Sequence, residues 1–272
     1  MQIRQTFIFR LFKLLRNAVS SHTGRKHDAL RLFADMLFKD YRLAWADWDW
    51  QKDKTFNDYL DRFGERGGFN THRKWTLKQL LRLTVFVEGD TAECGVFKGA
   101  SSYLICAAND YITGGGGTPD ASREDSMIKI HHIFDSFEGV SAPTSEDNDY
   151  WAKGDLSAGE AIVRENLASF IDRVRLYEGW IPSRFAEVAD RKFSFVHIDV
   201  DMHDPTRDSL AFFYDRMSGG GIILCDDYGS PFCPGATKAC DDFFADKTEK
   251  MIALADGGAF MIKGVKTAVS GV

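Results

Sequence analysis

The stretch Phe193-Ser-Phe-Val-His-Ile-Asp-Val-Asp201 decides the fold. It is a short apolar, aromatic and β-branched run that stops at acids. A run of that length without alternation fits a strand buried on both faces, and such strands belong to parallel sheets covered by helices. Gly220-Gly-Ile-Ile-Leu-Cys-Asp-Asp-Tyr228 has the same form. Working outward, similar runs occupy 91–97, 128–136 and 173–180 before it, and 251–254 and 259–263 after it. Segments long enough for helices lie at 74–88, 99–110, 157–170, 205–217 and 234–247. This alternation predicts an α/β fold, a mostly parallel sheet with helices on both faces. Ala255-Asp-Gly-Gly258 between the last two runs is a hairpin signal, so the final strand is expected to be antiparallel. The glycine-rich run from Thr113 to Ser126 reads as an insertion.

The chain has 272 residues, 44% hydrophobic and 13% aromatic, enough for a large core without disulfides. No run of about 18 apolar residues is present to span a membrane. Residues 1–26 carry six basic residues and no acid, whereas the remaining residues carry 28 basic and 40 acidic. An acidic body argues against nucleic acid as a partner. The five cysteines form no tight pair, which reads as buried free thiols and a cytoplasmic setting. Residues 7–19 place apolar side chains on one helical face with Arg10, Lys13 and Arg16 interspersed. Those bases interrupt what a secretory signal needs as an apolar core. Such a helix lies on an anionic membrane surface, making the protein membrane-peripheral, or packs on the domain or a second copy in a homodimer or larger homo-oligomer. Residues 28–70 continue helical, with Trp45, Trp48 and Trp50, and 62–68 reads as a loop. We divide the chain into an N-terminal helical extension, 1–73, and a catalytic domain, 74–272.

Ligands of open α/β sheets bind beyond the carboxyl ends of the strands. The first strand runs into Glu93-Cys-Gly-Val-Phe-Lys-Gly99-Ala-Ser-Ser102. Gly95 and Gly99 permit a tight turn and close approach to a ligand, and Ser101 and Ser102 supply helix-capping or hydrogen-bonding hydroxyls. The second strand ends at Asp135-Ser-Phe-Glu-Gly139. An acid there grips ribose hydroxyls in nucleotide-type sites. The third ends at Tyr177-Glu-Gly-Trp180, an aromatic wall for a purine. Asp199, Asp201, Asp226 and Asp227 crowd the ends of the fourth and fifth strands, and a hard divalent cation relieves that repulsion. Mg²⁺ is the first expectation, with Mn²⁺ or Ca²⁺ as alternatives. Asp199 and Asp201 share a side by alternation; Asp226 and Asp227 do so only if the strand ends there and turns.

Together with Asp204-Pro-Thr206, Gly219–Tyr228 and Cys233-Pro-Gly-Ala-Thr-Lys238, these stretches resemble the macrocin O-methyltransferase family, a branch of the class I S-adenosylmethionine-dependent methyltransferases. The resemblance covers roughly residues 74–265; the first 70 match nothing nameable. It implies a Rossmann-like seven-stranded sheet with an antiparallel last strand, S-adenosylmethionine over strands one to three, and Mg²⁺ over strands four and five. It places Glu93 and the Gly95–Gly99 turn near the methionine part, Asp135 and Ser136 at the ribose, and Gly179 and Trp180 near the adenine; Ser101 and Ser102 join the cofactor side through their hydroxyls. It makes Asp199, Asp226 and Asp227 the metal ligands. A sugar-containing small molecule, with its hydroxyl as acceptor, is the implied substrate. Where relatives carry an aromatic after D-x-D, this chain has Met202-His203, which brings His203 into question as an acceptor contact or base.

Metal binding acidifies a sugar hydroxyl, and a nearby carboxylate takes its proton. Asp199 is the first choice of base, with Asp201 and His203 as alternatives. The loop 141–152, ending in Tyr150-Trp151, is a candidate lid. Asp199-Val-Asp201 is also the D-x-D of a metal-dependent nucleotide-sugar glycosyltransferase, though that reading leaves the Glu93–Gly99 turn and the Asp226-Asp227 pair unexplained. A nicotinamide dehydrogenase lacks its third glycine. A non-catalytic membrane-peripheral protein on a methyltransferase fold is the remaining rival.

Overall fold

A computed structural model describes residues 11–37, 49–67, 70–113 and 128–268. The expectations for 1–10, for Trp45 and Trp48 and for the insertion at 114–127 lie outside those residues. The chain forms two compact units, Met1–Tyr59 and Leu60–Val272.

In the first unit, residues 11–18 are helical and are labelled α1. They precede α2 (Thr23–Leu37). Asn17 and Ala29 are buried, while Phe12, Leu15, Val19, Leu30, Phe33 and Leu37 stay exposed. The next helix, α3 (Lys54–Phe63), is started by the Asp53 side chain, whose Oδ1 accepts the Phe56 N–H at 2.9 Å. It runs through Arg62 and Phe63, so the expected loop starts only at Gly64.

The second unit is built on a seven-stranded sheet in the order β3-β2-β1-β4-β5-β7-β6. The strands are β1 (Asp90–Cys94), β2 (His131–Asp135), β3 (Val174–Glu178), β4 (Phe193–Ile198), β5 (Met217–Cys225), β6 (Ile252–Ala253) and β7 (Ala259–Ile262). β1 to β5 pair in parallel, and β7 pairs antiparallel with both β5 and β6. Every residue of β1 and β4 is buried, as expected for strands covered on both faces.

One face carries α4 (Asn70–Thr84), α5 (Ala100–Thr113) and α6 (Glu160–Asn166). There Val96, Cys106, Ile133, Val163, Leu167 and Phe170 share a core. The other face carries α7 (His203–Phe213) and α8 (Pro234–Phe244). Its core is aromatic: Phe213 packs on Phe193 at 5.0 Å and on Phe185 at 5.1 Å between ring centroids. Each ring buried this way stabilises the fold by roughly 1.5–3 kcal/mol. All five cysteines are buried and free.

The structure corrects one boundary. The helix expected at 74–88 begins at Asn70 and ends at Thr84. Thr84 ends it by folding its hydroxyl back onto the Leu81 carbonyl at 3.2 Å. The buried Lys129 ammonium then donates to the carbonyls of Thr84 (2.9 Å) and Val87 (2.6 Å). A lysine 45 residues along the chain thus satisfies carbonyls that the helix leaves open. The earlier start brings Arg73 into the helix beside Lys74.

The strand order reverses between β1 and β4, which lead to opposite halves of the sheet. Their loops diverge beyond the carboxyl ends and leave a crevice there.

Candidate active site

A cleft of about 710 Å³ opens at that switch point. Glu93, Gly95, Ser101, Asp135, Ser136, Gly179, Trp180, Asp199, Asp201, Asp226 and Asp227 all line it. Gly99, Ser102 and His203 do not. A methyl placed on Gly99 would meet Leu167 and Val163 at 3.7 and 3.8 Å. His203 Nδ1 pairs with Asp204 Oδ1 at 2.9 Å, and its N–H donates to Asp147 Oδ1 at 2.9 Å.

The half of the cleft over β1 to β3 is shaped by backbone. Gly95 has φ +81°, and a methyl there would overlap the Asp199 carbonyl oxygen. Only glycine lets the end of β1 pass so close to the end of β4. Asp135 Oδ2 accepts the Val96 N–H at 2.6 Å and Oδ1 accepts the Phe137 N–H at 2.6 Å. That carboxylate ties the β1 and β2 loops together and keeps lone pairs for a ligand. Burial raises its pKa despite the three N–H groups aimed at it. Ser136 stabilises its own turn, accepting the Glu138 N–H at 3.1 Å. Gly179 N–H donates to the Asp135 carbonyl at 2.9 Å, setting Trp180 beside the Asp135 loop.

The half over β4 and β5 is shaped by charge. Asp199 N–H donates to the Cys94 carbonyl and Asp226 N–H to the Ile198 carbonyl, each at 2.9 Å. The sheet ladder thus continues one step beyond the strands and sets the two acids side by side. β5 ends at Cys225, so Asp226 and Asp227 fall in the turn and both reach the cleft. Asp201 takes a left-handed conformation, φ +60°, with its N–H donating to Asp227 Oδ2 at 2.8 Å.

The sequence reading missed three cations. Arg73 forms an ion pair with Asp226 and lies 3.9 Å from Asp227. Lys74 donates to Ser101 Oγ at 2.6 Å and lines the same wall. His197 is fully buried between Glu93 Oε1, 2.7 Å from Nδ1, and Asp226 Oδ1, 3.6 Å from Nε2. Its Nε2 has no hydrogen-bond partner. Burial opposes a charge on His197, but Asp226 and Glu93 outweigh it and push the pKa up to about 10. Burial likewise opposes the Glu93 charge, and His131 and His197 overcome it, holding the carboxyl at about 2. Ser102 stands behind this pair, donating to Glu93 and lying 3.0 Å from His131 Nε2.

The four aspartates diverge. Asp226 is held well below the usual carboxyl range: burial acts against it, but Arg73, Lys74 and His197 prevail. Asp199 is raised by burial and then by Asp226, and Asp227 by burial and then by Asp201 and Asp199. Asp201 is raised to about 7 by burial and by Asp199. Asp199, Asp201, Asp226, Asp227 and Glu93 thus crowd three cations, Arg73, Lys74 and His197. His197, Asp199 and Asp226 each offer an atom within 4.8 Å of the others, as do Asp201, Asp227 and Cys233.

At the rim, Trp151 and Phe232 line the cleft, and Tyr150 packs on Phe232 at 4.4 Å. Tyr228, beyond the Asp226-Asp227 pair, donates its hydroxyl to Asp241 at 2.9 Å.

Residues 76–260 match the macrocin-O-methyltransferase (TylF) family. The chain is 23% identical over 233 residues to demethyldecarbamoylnovobiocin O-methyltransferase of Streptomyces niveus, covering 77% of this chain and 82% of that one. It is 26% identical over 159 residues to mycinamicin III 3''-O-methyltransferase of Micromonospora griseorubida, covering 54% and 58%. The solved structure of CalS11, a calicheamicin methyltransferase, shares the fold with a TM-score of 0.61 at 17% identity, over 90% of this chain and 95% of that one.

Proposed function

The chain belongs to the macrocin O-methyltransferase family of S-adenosylmethionine-dependent enzymes, and we propose that it methylates a hydroxyl of a sugar or glycosylated natural product with the help of Mg²⁺. One observation carries this reading: a backbone-shaped half and a carboxylate half share a single cleft at the β1/β4 switch point. The acceptor class comes from the relatives, whose names specify novobiocin and mycinamicin derivatives. Family membership replaces the glycosyltransferase and non-catalytic readings.

The donor set suits a hard cation: Asp199 and Asp227 are crowded carboxylates, each raised by burial and by its acidic neighbours. Asp199, Asp226 and Asp227 would hold it. When bound, Mg²⁺ supplies Lewis acidity that stabilises a developing alkoxide. Arg73 must then share Asp226 with the metal. Asp135 and Ser136 hold the ribose, Gly179 and Trp180 flank the adenine, and Glu93, Ser101 and the Gly95 turn face the methionine end. Methyl transfer is an in-line displacement, so alignment supplies several kcal/mol of the rate enhancement, on the order of 7–11 at best.

The base moves from Asp199 to Asp201. Asp199 is committed to the cation, and the His203 ring turns to Asp204. Asp201 lines the cleft beside that set, its backbone fixed by Asp227. It accepts the acceptor hydroxyl's proton.

The catalytic domain extends from residue 60, because Glu65, Arg73 and Lys74 all line the cleft. The exposed apolar side chains of α1 and α2 form a contact face for a second copy in a homo-oligomer. A full-length chain that sediments as a monomer would sink that assignment. Among the described residues no helix is long and apolar enough to cross a membrane. Calorimetric titration with S-adenosylhomocysteine, with and without Mg²⁺, tests the main reading. Micromolar binding supports it, and no binding in either condition overturns it.

A further inference from the structure

The wall of the cleft beside the Gly95 turn holds two charged side chains, Lys74 and Glu65, that neither ligate the cation nor take the proton in the reading above. Lys74 comes from α4, and its ammonium donates to Ser101 Oγ at 2.6 Å. Both residues line the cleft. An ammonium has three hydrogens, and Ser101 takes one. Ser101 stands in the first turn of α5, the positive end of the helix, which favours an anion. Glu65 lines the same wall. Its Oε2 is buried without a hydrogen-bond partner. Such an oxygen is unfavourable unless a donor arrives. Burial opposes the Lys74 charge, and Asp226, Asp199 and then Glu65 favour it. A cation beside a hydroxyl at a helix start, in one wall with an anion short of a donor, matches a zwitterion. Arg73 is excluded from this role, since Asp226 and Asp227 already engage it.

We infer that Glu65 and Lys74 form the receptor for the amino-acid end of the methyl donor, Lys74 with Ser101 taking the α-carboxylate and Glu65 the α-ammonium. This rests on the S-adenosylmethionine reading above. Neither residue touches the transferred methyl group. They set the register of the donor along the cleft and select it over analogues lacking either charge.

Calorimetry on the full chain provides the test. The probes are S-adenosylhomocysteine and its decarboxylated and deaminated analogues. The wild type is expected to bind each analogue at least about tenfold more weakly than the parent, the scale of one lost charge-assisted contact. Lys74→Met is expected to bind the parent and the decarboxylated analogue equally while still rejecting the deaminated one. Glu65→Gln is expected to show the opposite pattern. Thermal melting without ligand confirms that each variant is folded. Equal wild-type binding of all three probes overturns the inference without any variant. So does a folded Lys74→Met that keeps its preference for the carboxylate. A wild type that binds none of the probes defeats the S-adenosylmethionine reading itself, a result distinct from both.

Discussion

The two halves of the cleft are made differently. Over β1 to β3 the shape comes from main chain: Gly95 against the Asp199 carbonyl, and Asp135 clasping the N–H groups of Val96 and Phe137. Over β4 and β5 it comes from side-chain charge, with Asp199, Asp201, Asp226 and Asp227 balanced by Arg73, Lys74 and His197. A backbone-built half is set once the sheet forms. A charge-built half depends on what neutralises it, so pH and metal act there first.

Gly95→Ala attacks the backbone half directly and should have the largest effect. The added methyl overlaps the Asp199 carbonyl, and the positive φ adds strain. Strain of this kind costs about 1–3 kcal/mol before the overlap is counted. A lowered melting temperature and lost S-adenosylhomocysteine binding are expected; normal values for both would show that the two strand ends can separate freely.

Asp199→Ala and Asp227→Ala probe the other half. Each should lose metal-dependent turnover by about 100-fold or more, as for an electrostatic group at a transition state. Cofactor affinity should stay near that of the wild type. Melting of the metal-free protein should not fall, since each substitution relieves a crowded carboxylate. A fully active Asp199→Ala enzyme would falsify the mechanism.

The pH response separates the halves more finely. Asp201 is raised from 3.8 to about 7. A raised carboxyl favours folding while protonated, so this contribution is complete below about pH 4 and is lost as pH rises toward 7. His197 is raised from 6.5 to about 10, and its contribution is complete below 6.5 and lost as pH rises through 10. Glu93 works in the opposite sense, lowered from 4.5 to about 2, so its contribution disappears only as pH falls through that range. Melting curves of the metal-free protein from pH 4 to 7 should therefore decline more steeply for the wild type than for Asp201→Asn. Parallel curves would remove Asp201 from the account.

Ser102→Ala is the mildest test. It removes one donor behind Glu93 and leaves His197 in place. A loss of about 1 kcal/mol in stability is expected, with little change in cofactor binding. A large loss of binding by calorimetry would return Ser102 to the cofactor's own contacts.

Much of this molecule could be read from the chain. The strands near 193–198 and 217–225 were legible because an unbroken apolar run ended by acids has few other uses in a soluble fold. The acids after both strands were legible too, but alternation does not place Asp201, since β4 ends at Ile198 and Asp201 is left-handed, and the turn that brings Asp226 and Asp227 to one cleft stood only as a condition. His197 sits two residues before Asp199 and was open to the same argument. It was missed because a histidine inside an apolar run carries no mark of its charge until Glu93 and Asp226 flank it.

By itself, then, the sequence determined the order of strands and helices, the antiparallel finish and the acids at the strand ends, because periodicity and turn chemistry act over a few residues. Only the tertiary structure decided that α4 begins at Asn70 and that Arg73 and Lys74 meet the acids. It alone turned Ser102 and His203 away from the cleft and set the four aspartates apart in acidity. Those outcomes depend on side chains as far apart as Arg73 and Asp226 meeting out of water, where distance and burial fix the charge.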